Sequence, residues 1–457
     1  MAKKTARDRL PGLPRGVRPY DWALRQLRVP GAHRVTRGAK DVVVAVIDLG
    51  YRHHPDLDGH LWRNPDPTRG DVRGWDFVDD DATLEYTGPK EKTSEYYRGH
   101  HAFVAGEVAA VAPACPVMVV RVGYGRPDSW PQGIRYAVDC GARVLVIPHG
   151  YIAGEADTGT PLFYQGTDFS YPYDNPKLRE AIDYAYDGRC LIVKGTADNR
   201  GRRVATAMAG LEGVFAVGST DRHGAPGDIC CSADYVEVGT PGGRRDTDDV
   251  RDRIWGCGGD RNYIPFTGGC MASGFGGAVA ALVWSRFPGL SVDQLRQVLR
   301  NTASPAKGVT PDTDGWEPLL GYGILDAAKA VSLKDETLCR DVRLRPSSVK
   351  LVRRRGRYVV LGRIRNCGAF DAEKAAVVAY NGHPIRPADP KATQEAPGKL
   401  LQTRQLGHTL ARVRGLRETE VAIELTDKPG SALWFETFCL DRHDAGHVHR
   451  TRIRTAV

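Results

Sequence analysis

At 457 residues, with 41% hydrophobic and 26% charged residues, the chain has the balance of a soluble globular protein with room for more than one domain. No apolar run approaches the ~18–20 residues that span a bilayer, and the basic start MAKKTARDRLPGLPRG lacks the apolar stretch of a signal peptide; a cytoplasmic location and no membrane partner are expected. The formal charge of +9 is concentrated late, since residues 336–457 carry 23 Lys/Arg against 13 Asp/Glu, and their spread through strand-like segments suggests a solvated basic face rather than a nucleic-acid partner.

Residues 1–17 read as a disordered basic lead, too short for an inhibitor-type pro-domain, so a chain that folds unaided is expected. Trp22 to Val29 reads as a short helix. Asp41 to Asp48 (DVVVAVID) is a continuous apolar run ended by an acid, the pattern of a strand buried on both faces of a parallel sheet. An acid at the end of such a strand lies where α/β folds place their chemistry, although alone it fits a helix cap equally well. His54-Pro55-Asp56-Leu57 follows, then an acidic stretch with Asp76, Asp79, Asp80 and Asp81. Its spacing does not match an EF-hand loop, so a solvated acidic turn without metal is expected.

Gly99-His100-His101-Ala102-Phe103-Val104-Ala105-Gly106 opens a small-residue helix. Val117 to Val122, Val144 to Ile147, Leu191 to Val193 and Val214 to Gly218 read as strands, with Gln132 to Asp139 helical between them. Strands alternating with helices argue for a mostly parallel, doubly wound sheet. Thr267 to Leu282 (TGGCMASGFGGAVAAL) places Cys270 after two glycines and before a run of small residues. That is a tight turn feeding a closely packed helix, with one side chain at a terminus whose amides and dipole favour an anion. Taken in isolation, a buried core cysteine explains it as well. The other cysteines form no CxxC pair, and adjacent Cys230 and Cys231 read as ordinary core residues.

From about Pro19 to Val331 these motifs, in this order, resemble the subtilisin-like (subtilase) peptidase family. Val46-Ile47-Asp48-Leu49-Gly50 with His54 to Leu57 is similar to its aspartate motif, and Gly99 to Gly106 to its histidine motif GHGTHVAG. Ala197-Asp198-Asn199-Arg200-Gly201 is similar to AGNxG, and Gly268 to Gly274 to GTSMATP. The resemblance implies a subtilisin-like α/β fold with helices on both faces of the sheet, over residues 18–335. It also implies an acyl-transfer site: Cys270 as nucleophile, His100 as base, Asp48 orienting the base, Asn199 stabilising the oxyanion. The spacing back from Val104-Ala105-Gly106 selects His100 over His101. The implied partner is a peptide or protein substrate, with no cofactor and no metal.

The departures are as informative. Cys270 stands at the serine, Gly269 at the preceding threonine, and Gly274 at the proline; Ala102 and Phe103 replace the Thr-His of the histidine motif. Pro148-His149-Gly150 stands at the SLGG edge strand that pairs with extended substrate, and proline has no N–H to give. Asp198 sets a carboxylate beside the oxyanion donor. A sulfur nucleophile suits peptide ligation beside hydrolysis, with Gly274 relieving the crowding of the larger atom; erosion of the substrate strand suits a peptide-binding pseudoenzyme. Two segments are longer than a minimal family member needs: Ala82 to Arg98, and Ile152 to Asn175 with its five aromatic residues, which either grip peptide or cover core.

Residues 340–457 differ in character. Val349 to Val352, Tyr358 to Gly362, Ala376 to Tyr380 and Val421 to Leu425 are short strands between turn signals, reading as an Ig-like β-sandwich that binds substrate or braces the catalytic domain.

Overall fold

The apolar run that ends in Asp48 forms β1 (Val43–Asp48), every residue of it buried. Its side chains divide by parity: Val44 and Val46 enter one core, Val43, Ala45 and Ile47 the other. Around it lie β2 (Gly74–Asp76), β3 (Val117–Arg121), β4 (Ala142–Val146), β5 (Leu191–Gly195), β6 (Val214–Thr220) and β7 (Val238–Pro241), while β8 (Ile254–Cys257) and β9 (Tyr263–Phe266) form a separate antiparallel pair. The strand order is β2-β3-β1-β4-β5-β6-β7, and the pairings are parallel. Because β1 sits between β3 and β4, the chain reverses direction of winding there, and Asp48 lies at the carboxyl end of that crevice. The structure, a computed structural model, describes residues 12–85, 95–123, 126–149, 176–196, 208–211, 213–233, 235–311, 315–333, 342–366, 372–381, 404–413, 417–430, 432–439 and 449–454. The aromatic segment 152–175, Gly150 and Asn199 therefore lie outside the described residues.

Helices cover both faces. Glu95–Val111 and Gly269–Arg286 pack on one side; Ser129–Asp139 and Pro176–Asp187 pack on the other. Met271 to Trp284 is buried throughout, which only a helix of small residues permits at this closeness. A Cβ on Gly276 would lie 3.1 Å from Val193 Cγ1 of β5, and one on Gly277 would collide with Val146 of β4. Among the described residues, no helix is long and apolar enough to cross a membrane.

The lead-in is held as far back as Leu13, which packs against the core, with Val17 N–H bonded to Pro14 O at 3.1 Å. The helix expected from Trp22 is shorter, Asp21–Gln26. Tyr20 just ahead of it donates to Phe103 O at 3.1 Å and accepts from Cys257 N–H at 2.8 Å. Cys230 and Cys231 are core residues, and they, with Cys115, Cys140, Cys190, Cys257 and Cys270, are in no disulfide.

The acidic turn departs from expectation at Asp76, while Asp79, Asp80 and Asp81 are exposed as a solvated turn requires. Asp76 is fully buried and ion-paired with Arg121, whose guanidinium also reaches Asp79 at 2.6 Å. A carboxylate inside the sheet edge is stable only when paired, so Asp76 is a fastener between β2 and β3 rather than a solvated group.

Beyond the α/β layer two antiparallel sheets pack together. One is β10-β11-β14 (Val342–Arg354, Arg357–Asn366, Glu418–Glu424). The other is β13-β12-β15-β16 (Arg404–Val413, Ala372–Asn381, Ala432–Cys439, His449–Arg454). Val360, Ile364 and Ile423 of the first meet Val377, Ala379 and Phe435 of the second in one core, the arrangement of a β-sandwich.

Candidate active site

Three elements deliver the candidate residues to the crevice. β1 ends on Asp48, the helix Glu95–Val111 carries His100 in its second turn, and the helix Gly269–Arg286 carries Cys270 in its first. The turn into the last helix depends on Gly268, whose φ of 150° lies in the region that side chains avoid. Gly195 at the end of β5 lets that turn approach, since a Cβ there would strike the Gly269 backbone.

Asp48 and His100 meet directly: His100 Nδ1 lies 2.7 Å from Asp48 Oδ2, both residues being buried. The second oxygen, Oδ1, accepts Leu49 N–H at 2.8 Å. The Cys270 sulfur lies within 4.8 Å of a ring nitrogen of His100 and is half-buried. Burial works against a charged His100, but the Asp48 carboxylate and then Cys270 outweigh it, raising the imidazole to about 10. Burial likewise opposes a charged Asp48, yet the His100 partner holds its carboxyl well below the usual range. Asp48 and an imidazolium at His100 thus stabilise each other.

His101 goes elsewhere. It is fully buried edge-on to Tyr51, ring centroids 5.9 Å apart, with no hydrogen-bond partner among the described residues. Burial lowers it to about 4. Phe103, at the position of the family's second histidine, packs edge-on to Phe266 at 5.0 Å, and Phe266 in turn abuts His100 at 5.5 Å. Phe266 thus gives the His100 ring one apolar wall, itself backed by Phe103.

The segment expected to bind substrate is built into the site itself. His149 lies against His100, with ring centroids 4.3 Å apart and planes 42° apart, and its Nε2 is 3.7 Å from Asp48 Oδ1. Burial and the charge on His100 depress it to about 3, so it is neutral at ordinary pH. The Pro148 carbonyl accepts from Lys194 Nζ at 2.8 Å and from Cys270 Sγ at 3.4 Å.

Two residues at the site were missed by sequence reasoning. Lys194 is a single charge within the apolar strand Leu191–Gly195, an anomaly that was visible. Glu107 is a charge within a small-residue helix, also visible. It is fully buried, neither carboxyl oxygen has a hydrogen-bond partner among the described residues, and it faces Gly274. Burial, with a further push from Cys270, raises it well above the ordinary carboxyl range, so it is a neutral acid.

Comparison with known proteins agrees with this architecture. Residues 39–323 match the family described as the Subtilase family, Peptidase S8. Thermitase of Thermoactinomyces vulgaris is 26% identical, over 62% of this chain and 88% of its own. The thermostable alkaline protease of Halalkalibacterium halodurans is 25% identical, over 68% of this chain and 73% of its own. Among solved structures, a lanthipeptide protease superposes with a TM-score of 0.54 at 20% identity, covering 68% of this chain and 94% of that one. The nisin leader peptidase NisP of Lactococcus lactis gives 0.50 at 18% identity, covering 68% and 94%. At that identity the likeness speaks to fold. The family match spans more than half of the residues, and the chain belongs to the subtilase family of peptidases.

Proposed function

We propose that the protein is a peptidase that works through an acyl-enzyme on Cys270 and passes the acyl group to amines as well as to water. The observation that carries this is the Asp48–His100 hydrogen bond of 2.7 Å with the Cys270 sulfur beside the same imidazole. Cys270 Sγ would attack the scissile carbonyl, its proton held by His100. The oxyanion would collapse, expelling the amine, which takes the proton from His100, and leave a thioester. Asn199 is proposed as an oxyanion donor on the strength of its motif, together with the Cys270 backbone amide at the helix start. An amine attacks a thioester more readily, relative to water, than it attacks an oxygen ester, and ligation then accompanies hydrolysis. The lanthipeptide protease and NisP, as structural neighbours, support a precursor peptide as the substrate class. The cytoplasm as its place of work, the division into residues 18–335 and 340–457, and the absence of a nucleic-acid partner are proposed on sequence alone.

The test is the partition of product. Given a peptide ester and a competing amine, the protein is expected to form more amide per hydrolysis event than its Cys270→Ser variant does. Equal partition in the two would leave plain proteolysis.

A binding module is the second reading, favoured by the edge strand: Pro148 has no N–H, and its carbonyl is already engaged by Lys194 and Cys270. Peptide binding that is tight, unaffected by His100→Ala and unaccompanied by cleavage would establish it.

A further inference from the structure

His149 serves no step of acyl transfer, yet it lies against the catalytic base. One ring nitrogen of His100, one of His149 and the Cys270 sulfur fall within 4.8 Å of one another. Tetrahedral zinc, with bonds of about 2.0–2.1 Å to nitrogen and about 2.3 Å to sulfur, sets its ligands about 3.3–3.7 Å apart. Small side-chain rotations bring three groups so placed onto one ion. The outer contacts also suit it. Asp48 holds His100 Nδ1 at 2.7 Å, directing the other ring nitrogen outward, as carboxylates do behind metal-bound histidines. Two imidazoles and a thiolate favour a borderline-soft divalent cation over calcium or magnesium. Both histidines are buried and Cys270 is half-buried, and three protein ligands leave a tetrahedral ion its fourth position for water. Asp48 and the thiolate offset the ion's charge; the Lys194 ammonium, bonded to Pro148 O, opposes it.

We propose that Zn²⁺ binds reversibly at His100, His149 and Cys270, withdrawing the sulfur from chemistry. The thiol proton, with any proton on the His100 nitrogen that ligates, passes to solvent as the metal–ligand bonds form. Binding stands on the three side chains alone; only its inhibitory consequence rests on the proposed acyl role of Cys270.

A second cluster supplies the control. His54, Asp56 and Cys257 also offer three ligand atoms within 4.8 Å. There Tyr263 hydroxyl already holds Asp56 at 2.5 Å, and His54 Nδ1 accepts Asp56 N–H at 3.2 Å, so those groups are committed to one another.

Co²⁺ is the probe, titrated into the full reduced chain and read by its thiolate-to-cobalt charge-transfer band and the visible bands of a tetrahedral site. One equivalent is expected to bind, with Zn²⁺ displacing it. Cys270→Ala should abolish the charge-transfer band. His149→Leu should weaken binding by tenfold or more, and His149→Cys should restore affinity while strengthening the band. Cys257→Ser should leave the titration unchanged. Thermal unfolding of each variant checks that it is folded. A band that survives Cys270→Ala but is lost in Cys257→Ser would move the ion to the other cluster and overturn the proposal. Equal affinity of wild type and His149→Leu, or no band at all, would overturn it too. Cobalt binding in a protein that cleaves no peptide would leave the metal site standing and refute the acyl role instead.

Discussion

Glu107 joins the packing of the site to its electrostatics. The family's proline is absent at Gly274, and the sequence suggested room made for sulfur; the structure gives that room to the Glu107 carboxyl, which any Cβ on Gly274 would strike. A glycine inside a helix costs about 1 kcal/mol, and here the cost accommodates a buried acid. Since the folded state raises this acid's affinity for its proton, the unfolded chain loses the proton first as pH rises. The stability from the neutral form is fully present below about 4.3, the unfolded value, and declines as pH climbs above it. Glu107→Gln, which keeps shape without ionising, should therefore match wild type in melting temperature at pH 4 and exceed it at pH 8. A constant difference across that range would refute the buried neutral acid.

The two depressed histidines act at the other end of the scale. His149 at about 3 and His101 at about 4 remain neutral in the fold while the unfolded chain takes up protons near 6.5. Their contribution is complete above that value and is lost as pH falls toward 4, by about 1.4 kcal/mol per pH unit for each group. His100 has the opposite sign: raised to about 10, it contributes below 6.5 and loses that contribution as pH rises through 10. Denaturant unfolding between pH 7 and pH 4 should fall less steeply for His149→Leu than for wild type. Parallel curves would show that His149 takes up its proton as readily folded as unfolded.

At the scale of elements, the strands that carry the site were legible because their residues are buried on both faces: β1, β3, β4, β5 and β6 each announce themselves as apolar runs. Less was legible where one face is wet. The helix Pro176–Asp187 buries Leu178, Ala181, Ile182 and Ala185, a clear helical period that polar residues between them disguised. β13 exposes Leu410 and alternates polar residues, and β10 breaks register between Arg345 and Lys350, around Pro346, so only its second half read as strand. The helix Gly269–Arg286 was legible through its small residues, and its geometry makes them a requirement. Gly277→Val would drive a branched side chain into Val146, at a cost of about 1–3 kcal/mol or more. Chemical denaturation measures this directly, and an unchanged midpoint would mean that the helix does not rest on β4 as described.

Across the whole molecule, the late basic excess has a structural use that composition hid. Arg343 reaches Glu237 at 3.9 Å, Arg345 reaches Asp187 at 3.3 Å, and Arg365 reaches Asp293 at 3.3 Å, each pair tying the sandwich to the α/β layer. Glu237 is the hub, also paired with Arg296 and with Arg300 at 3.4 Å, and these arginines hold its carboxyl low against the pull of burial. Removing one partner of such a buried network costs about 3–5 kcal/mol, because the charges left behind stay desolvated. Glu237→Gln should lower the melting temperature markedly and expose the region after residue 333 to limited proteolysis; wild-type behaviour in both would argue that the sandwich is held otherwise. The site itself was legible to the extent that family motifs carried it. His149 against His100, Lys194 on Pro148 and Glu107 under Gly274 were not, since each depends on a contact between segments far apart in the chain. The most direct test of the central claim is the intact mass of the protein quenched in acid after mixing with a peptide ester. One acyl adduct on the peptide containing Cys270, absent from Cys270→Ala and strongly reduced in His100→Ala, is the predicted result. Peptide turnover without an adduct in any quench, undiminished in Cys270→Ala, would contradict it.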